Sequence, residues 1–324
     1  MAFLLSLAVA FALRADTGDA TVVWQTRGSL TFASANGNEV WLIDASGGLE
    51  SPKATLMRID ASGASPVVTF RGRAFSPAAD ENAIFVVVDN DLLRVDKHPP
   101  HATKFLKKGE LWPIGTATDR EFLYFNNQST EYLDGGPPNG KPGSVSKMKK
   151  DGGGLTRLAS ADAREIALDE KNVYFSNGSS VCAVSKSGGR VRTLVENTGL
   201  TPHLAIDGDW LVFTRSEGVS RVHTKNGRVE SLADDIDIPL FVAAAGGVTY
   251  AGANMAFQGK GNPPKPAAIL RLRPVHPPER LWSGMTRLTT LVLANGALYF
   301  TVEPLEGTEG ATVLRLDVAS DPKP

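Results

Sequence analysis

The chain has 324 residues, and its 34 basic residues nearly balance its 35 acidic ones. This balance leaves no basic surface of the kind that holds nucleic acid, so we predict no nucleic-acid partner. The single cysteine, Cys182, excludes an internal disulfide, and the 32 glycines and 20 prolines are typical of a turn-rich all-β protein.

The first residues form an apolar run from Ala2 to Leu13, interrupted only by Ser6 and followed by Arg14-Ala15-Asp16. This run is too short to cross a bilayer, which needs about 20 residues. It is typical of the apolar region of a signal peptide. We therefore predict a signal peptide over residues 1–15, one domain over residues 16–324, no membrane span, and a secreted or periplasmic location.

Residues 164–233 contain one structural unit twice in tandem. Each copy has four short apolar runs with the two-residue alternation of strands, separated by turns that contain Gly or Asn. In the first copy the runs are Ile166–Leu168, Val173–Phe175, Val181–Val184 and Val191–Val195. Four antiparallel strands joined by hairpins make one propeller blade, which must stack on its neighbours to bury its faces.

Two features of this unit recur along the chain and count the blades independently. The apolar triplet of the second strand begins at positions 40, 84, 123, 173, 211, 248 and 298. The third-strand pattern begins at positions 56, 92, 145, 181, 219, 269 and 313. We therefore predict an all-β fold, a single β-propeller of seven four-stranded blades over residues 28–317, with six or eight blades as the alternatives.

The two ends of the array are complementary. The seventh unit supplies only three strands, and Thr21-Val22-Val23-Trp24 resembles the fourth strand of other units. We predict that this N-terminal strand pairs in the last blade, which closes the ring and removes both free edges.

The third strands carry two further signals. Cys182 occupies a position that is apolar in most other units, so we predict a buried, inert thiol. A basic residue recurs at mid-strand, and we predict for it a structural role with a buried stem and a paired head. Its occurrences are Arg58, Arg94, Lys147, Arg221, Arg271 and Arg315.

The connections between second and third strands indicate where a ligand would bind. They are predicted to be long in four units, over residues 43–54, 126–143, 251–267 and 301–311, and all of them lie on one face of a propeller. We predict that this face binds a protein, peptide or carbohydrate. The candidate ligand-binding residues are Asn126, Asn127, Tyr132, Arg215, Glu217, Asn254 and Phe257.

The mouth of the central channel offers a second candidate site. Glu165 and His203 begin the innermost strands of neighbouring units, so we expect them to approach each other there. Such a pair suits acid–base chemistry, and His203 with Asp234 and Asp235 are candidate metal ligands. The other interpretation is an ordinary ion pair at the rim of the channel. We predict no cofactor, with a divalent metal in the channel as the alternative.

The repeats VYFSN at 173, LYFNN at 123 and LYFTV at 298 resemble the YWTD-type and TolB-like repeats of secreted bacterial β-propellers, whose copies end in Lys-x-Gly-Gly as at Lys186–Gly189. The chain differs in having Phe where that family has Trp. Because such propellers host binding, scaffolding and catalysis, the resemblance implies the fold and leaves the function open.

Two functions remain. The first is a monomeric binding module that uses the face with the long connections. The second is an enzyme similar to the metal-assisted propeller lyases and lactonases, with Glu165 and His203 at the channel. Only two of the seven innermost strands begin with a titratable residue at the aligned position, which favours binding over catalysis.

Overall fold

A computed structural model describes residues 19–36, 39–46, 52–60, 63–99, 101–107, 115–127, 143–200, 202–254, 264–305 and 310–318. Its strands form seven four-stranded antiparallel sheets, which are blades one to seven. The predicted all-β, seven-bladed propeller is therefore confirmed. Among the described residues no helix has the length and apolar character needed to cross a membrane. The predicted signal peptide lies outside the described residues.

The strands follow one another in chain order within each blade except the last. The N-terminal strand is β1, Thr21–Thr26. Blades one to three comprise β2 Ser29–Asn36, β3 Glu39–Ser46, β4 Lys53–Asp60, β5 Gly63–Arg71; β6 Ala74–Ala79, β7 Ala83–Val88, β8 Asp91–Asp96, β9 Thr103–Lys107; and β10 Thr116–Thr118, β11 Phe122–Asn127, β12 Ser144–Lys149, β13 Thr156–Ser160.

Blades four to six comprise β14 Ala163–Leu168, β15 Asn172–Asn177, β16 Ser180–Ser185, β17 Arg192–Val195; β18 Leu204–Asp207, β19 Trp210–Arg215, β20 Gly218–His223, β21 Val229–Asp234; and β22 Pro239–Ala245, β23 Val248–Ala253, β24 Ala267–Leu272, β25 Glu279–Gly284. Blade seven contains β26 Arg287–Ala294, β27 Ala297–Glu303 and β28 Ala311–Asp317, with β1 as its fourth strand.

The ring closes through this shared last blade. Strand β1 pairs antiparallel with β28, with Thr21 opposite Arg315 and Trp24 opposite Val313. The first strands of neighbouring blades contact one another all the way round, including β26 with β2. The predicted closure is confirmed, and the first strand of each blade lines the central channel.

The core is divided into seven apolar clusters, one at each boundary between blades. The second strands show why their triplets are almost entirely apolar. In β15 the outer residues Val173 and Phe175 pack towards blade three, whereas Tyr174 packs towards blade five. Alternation along a strand thus supplies both faces of a blade, and each face needs an apolar surface.

The connections divide between two faces of the ring. The loop face carries the connections from second to third strands, and the turn face carries those from first to second and from third to fourth strands. Long connections on the loop face join β11 to β12, β23 to β24 and β27 to β28. All four predicted ranges are too long, because residues 43–46, 126–127, 251–253 and 301–303 continue the second strands, and Ile43 is fully buried.

The third-strand residues have the surroundings that their positions predict. Cys182 is only 3% exposed, and burial raises the pKa of its thiol. The repeated basic residues have partners nearby: Arg94 Nε lies 2.8 Å from Asp96 Oδ1, and Arg221 binds Glu230. Each of these heads is paired with a carboxylate of its own blade, as expected of a structural residue.

Candidate functional site

Glu165 and His203 meet at the channel mouth on the loop face. His203 Nδ1 lies 3.6 Å from Glu165 Oε1, and roughly a third of each side chain is exposed (34% and 38%). The backbone sets this approach, because the N–H of Glu165 donates to Ser176 Oγ at 3.0 Å and the N–H of His203 donates to Thr214 Oγ1 at 2.9 Å. Each residue is thus fixed against the second strand of its own blade.

An aromatic ring from a third blade joins this pair. The Phe241 ring in β22 lies 5.0 Å from the His203 ring, measured between centroids. Blades four, five and six therefore contribute a carboxylate, an imidazole and a phenyl ring to one part of the mouth. The sequence identified the two polar residues but missed Phe241, because β22 is apolar along its length and nothing local shows which of its residues reaches the mouth.

The predicted metal ligands are not gathered around His203. The side chain of Asp234 pairs with Arg215, and Asp235 is exposed at positive φ. Within the described ranges, no three His, Cys, Asp or Glu side chains lie close enough together to hold a metal ion. Glu165 and His203 therefore form a pair without a third such partner in this part of the chain.

Two of the candidate ligand-binding asparagines join neighbouring blades. Asn126 is fully buried; its Oδ1 accepts from Gly115 N at 2.7 Å, and its Nδ2 donates to the Ala163 and Arg164 carbonyls at 2.7 and 2.6 Å. Asn254 binds both the N–H and the carbonyl of residue 288 in blade seven. In this conformation their amides are used in packing the ring.

The other candidates on the loop face differ in how available they are. Arg215 is held by Asp234, by Ser220 Oγ at 3.0 Å and by Ser231 Oγ at 3.2 Å, whereas Glu217 is exposed beside it. Asn127 is partly buried and donates to Ser144 Oγ at 3.3 Å. Tyr132 and Phe257 lie outside the described residues.

The turn face holds a repeated contact that the sequence interpretation missed. The lysine directly after a third strand reaches back to a carboxylate of the preceding blade, and we call this contact a clasp. The clasps are Lys97–Glu39 at 2.7 Å, Lys150–Asp80 at 2.6 Å and Lys186–Asp119 at 2.7 Å.

Asp119 shows the electrostatics of a clasp. Its burial disfavours the charged form, but the hydrogen bond from Lys186 and the N–H groups of Phe122 and Glu121 outweigh that effect and lower the pKa to about 2. Tyr124 also donates to Asp119, at 2.9 Å, and burial together with this bond raises the tyrosine pKa. The Asp119 carboxyl is therefore ionised at neutral pH.

The clasps also explain the Lys-x-Gly-Gly motif. Gly152, two residues after Lys150, has a φ of 96°, and a Cβ there would lie 3.3 Å from the Leu106 carbonyl oxygen. Gly188, two residues after Lys186, also has a positive φ, of 85°, but a Cβ there would lie 3.8 Å from the Leu158 carbonyl oxygen, an ordinary contact distance. The glycine supplies the positive φ of this turn, and in blade three it also allows a close approach to blade two. An alignment of the turns, instead of the strands, would have revealed the pattern.

These features define a seven-bladed β-propeller. No protein-family model and no curated protein matches the sequence. The fold is similar to that of the β-propeller domain of the trilobed protease from Pyrococcus furiosus, with a TM-score of 0.63 and 9% identity over 91% of this chain and 94% of that one.

Two further solved structures are similar. Acylaminoacyl peptidase from Pyrococcus horikoshii has a TM-score of 0.64 and 12% identity over 90% of this chain, which spans only 52% of that enzyme. BamB from Moraxella catarrhalis has a TM-score of 0.52 and 12% identity over 92% of this chain and 100% of that protein. At such low identity these similarities establish the fold alone.

Proposed function

We propose that the protein is a binding module that acts outside the cytoplasm, either secreted or in the periplasm, and takes a protein, peptide or carbohydrate on its loop face. The observation that carries the proposal is the convergence of Glu165, His203 and Phe241 from three successive blades. Carboxylate, imidazole and phenyl groups side by side offer hydrogen bonds and an apolar surface, the combination that binding sites use.

The surroundings favour recognition over catalysis. A catalytic site needs several convergent titratable groups, and the described part of the mouth provides one such pair. Glu217 lies on the same face, and the long connections of blades three, six and seven leave β11, β23 and β27 at that face. The apolar run before Arg14 supports export from the cytoplasm.

The test begins with screens of the full chain against peptide and glycan arrays. The affinity of each ligand found is then measured for His203→Ala and Glu217→Lys on the loop face, with Lys171→Glu on the turn face as the matched control. We expect the loop-face variants to weaken binding by about tenfold or more, because each removes a contact to a polar or charged group. A ligand whose binding is weakened only by Lys171→Glu would refute the assignment of the binding site to the loop face.

The second candidate is a metal-assisted lyase or lactonase, which the 3.6 Å approach of His203 to Glu165 favours. It predicts a stoichiometric divalent ion in protein purified without chelator, measured by mass spectrometry. His203→Ala should lose the ion, and His276→Ala, an exposed histidine on the turn face, should retain it. Lactone hydrolysis whose rate falls when the ion is removed would establish this function in place of binding.

A further inference from the structure

A groove lies on the turn face between blades two and three. Its cavity has a volume of about 410 Å³, which is in the range of small-ligand sites, about 300–1,000 Å³. It is lined by Asp80, Asn82, Arg94, Asp96, His98, Arg120 and Lys150. We call it the Arg120 groove.

Most charges of the groove are already paired. Lys150 Nζ lies 2.6 Å from Asp80 Oδ2, and both side chains are largely buried, at 16% and 15% exposed. Arg94 binds Asp96 through Nε at 2.8 Å and donates from Nη1 to the Lys150 carbonyl at 3.4 Å. Two bonds therefore fix the guanidinium of Arg94, and its second terminal nitrogen has no bond to another described residue.

Arg120 is different. It is exposed at the tip of the turn between β10 and β11, and it has no ion pair or hydrogen bond to any described side chain. It lines the groove and also two adjoining cavities of about 730 and 510 Å³. An exposed guanidinium without a described side-chain partner thus lines the same groove as one that two bonds hold.

The charge of the groove selects the ligand. The three cations Arg94, Arg120 and Lys150 face the two carboxylates of Asp80 and Asp96, which leaves one positive charge. A carboxylate neutralises it, whereas a phosphate dianion would bring excess negative charge against Asp80 and Asp96. Guanidinium groups also match the planar, two-oxygen geometry of a carboxylate.

We propose that the Arg120 groove is a carboxylate-binding site, in which the ligand carboxylate lies between Arg94 and Arg120. The adjoining cavity supplies Glu81, an exposed carboxylate that would accept hydrogen bonds from amide or ammonium groups of the same ligand. The site is on the opposite face from the proposed loop-face surface, so either proposal can fail without the other.

The test is a calorimetric titration of the full chain with acetate, inorganic phosphate, free triglycine and triglycine amide. We expect acetate and free triglycine to bind and phosphate to bind more weakly than acetate. Tighter binding of triglycine than of acetate would identify a peptide terminus as the ligand, and equal binding would identify a small acid. Replacing the carboxylate with the amide should weaken binding by about tenfold or more.

The variants are Arg120→Gln and, as the matched control, Arg190→Gln, an exposed arginine of blade four. Arg120→Gln should weaken acetate binding about tenfold, and Arg190→Gln should leave it unchanged. Equal unfolding temperatures of the three proteins would show that the fold is intact. No binding up to about 50 mM acetate, tighter binding of phosphate, or equal affinity for acetate in Arg120→Gln and the parent protein would overturn the proposal.

Discussion

The ammonium group of Lys186 lies 2.7 Å from the Asp119 carboxylate across the boundary between blades three and four, and 5.1 Å from the centre of the Tyr124 ring. Only 14% of the lysine side chain is exposed. One side chain therefore neutralises a partly buried carboxylate and covers an aromatic ring of the neighbouring blade, and both contacts gain strength from the loss of water.

Replacement of Lys186 by Met should lower the free energy of unfolding by about 1–2 kcal/mol, because Asp119 would lose its charged partner while remaining partly buried. Urea unfolding followed by circular dichroism measures the difference. Lys171→Met is the control, since that lysine is exposed on the same face of blade four. Equal effects of the two substitutions would show that the clasp adds nothing to stability.

The low pKa of Asp119 predicts loss of stability in acid. The folded value of about 2 lies below the ordinary 3.8, so the clasp stabilises the protein fully above the unfolded value and less as the pH falls towards the folded one. This group should contribute about 1 kcal/mol after solvent screening. Unfolding free energies measured between about pH 6 and 2.5 should therefore fall less steeply in Asp119→Asn. Identical pH dependences of the unfolding free energy in the two proteins would contradict the assignment of this acid sensitivity to Asp119.

Asn126→Ala should destabilise the ring strongly. It would leave the Gly115 N–H and two carbonyls of blade four without their partner in a fully buried position. We expect a loss of about 2–3 kcal/mol in unfolding free energy. Asn127→Ala is a matched control, because that neighbouring side chain is partly exposed and donates one bond of 3.3 Å. A smaller loss in Asn126→Ala than in the control would be evidence against its role between the blades.

Deletion of residues 19–26 should destabilise all seven blades together, because β28 would become a free edge and the ring would open. We expect the unfolding free energy to fall by about 3 kcal/mol or more. Deletion of residues 2–18 is the control, since it leaves β1 in place. Differential scanning calorimetry distinguishes the outcomes, and a deletion variant that keeps the parental unfolding temperature would refute closure as a source of stability.

Cys182 should be unreactive in the folded protein. Its 3% exposure limits access, and the raised pKa keeps the sulfur as a thiol. Ellman's reagent should label one thiol per chain in denaturant and almost none without it. Rapid labelling under native conditions would mean that blade four opens locally on the timescale of the reaction.

Strand-level features were predictable because they repeat. The repeated triplets, such as those at 123, 173 and 298, predict the blade and the number of blades, because alternation and turn residues are direct signals of strands. The seventh unit has only three strands, which predicts the closure of the ring. The approach of Glu165 to His203 was predictable for the same reason, because both follow the same register against Ser176 and Thr214. Phe241 was missed because β22 is apolar along its length, and nothing local shows that this residue faces His203.

Contacts between blades were harder to predict. Nothing local distinguishes Asn126, which is buried between blades, from Asn127, which is partly exposed beside it. The clasps pair residues 58 to 70 positions apart, as in Lys97 with Glu39 and Lys150 with Asp80. Such pairs can be predicted only by comparing the turn that follows the third strand of one blade with the turn between the first and second strands of the preceding blade.

The clasps give the ring a direction. Each lysine reaches backwards to the blade before it, and the carboxylate that it meets is supplied by that blade alone. The order of blades one to four around the ring is therefore specified by these contacts, although the strands of the blades are similar. Moving the chain ends to another connection would preserve every clasp. Exchanging blade two with blade six would separate the lysines from their carboxylates and leave both without an oppositely charged partner.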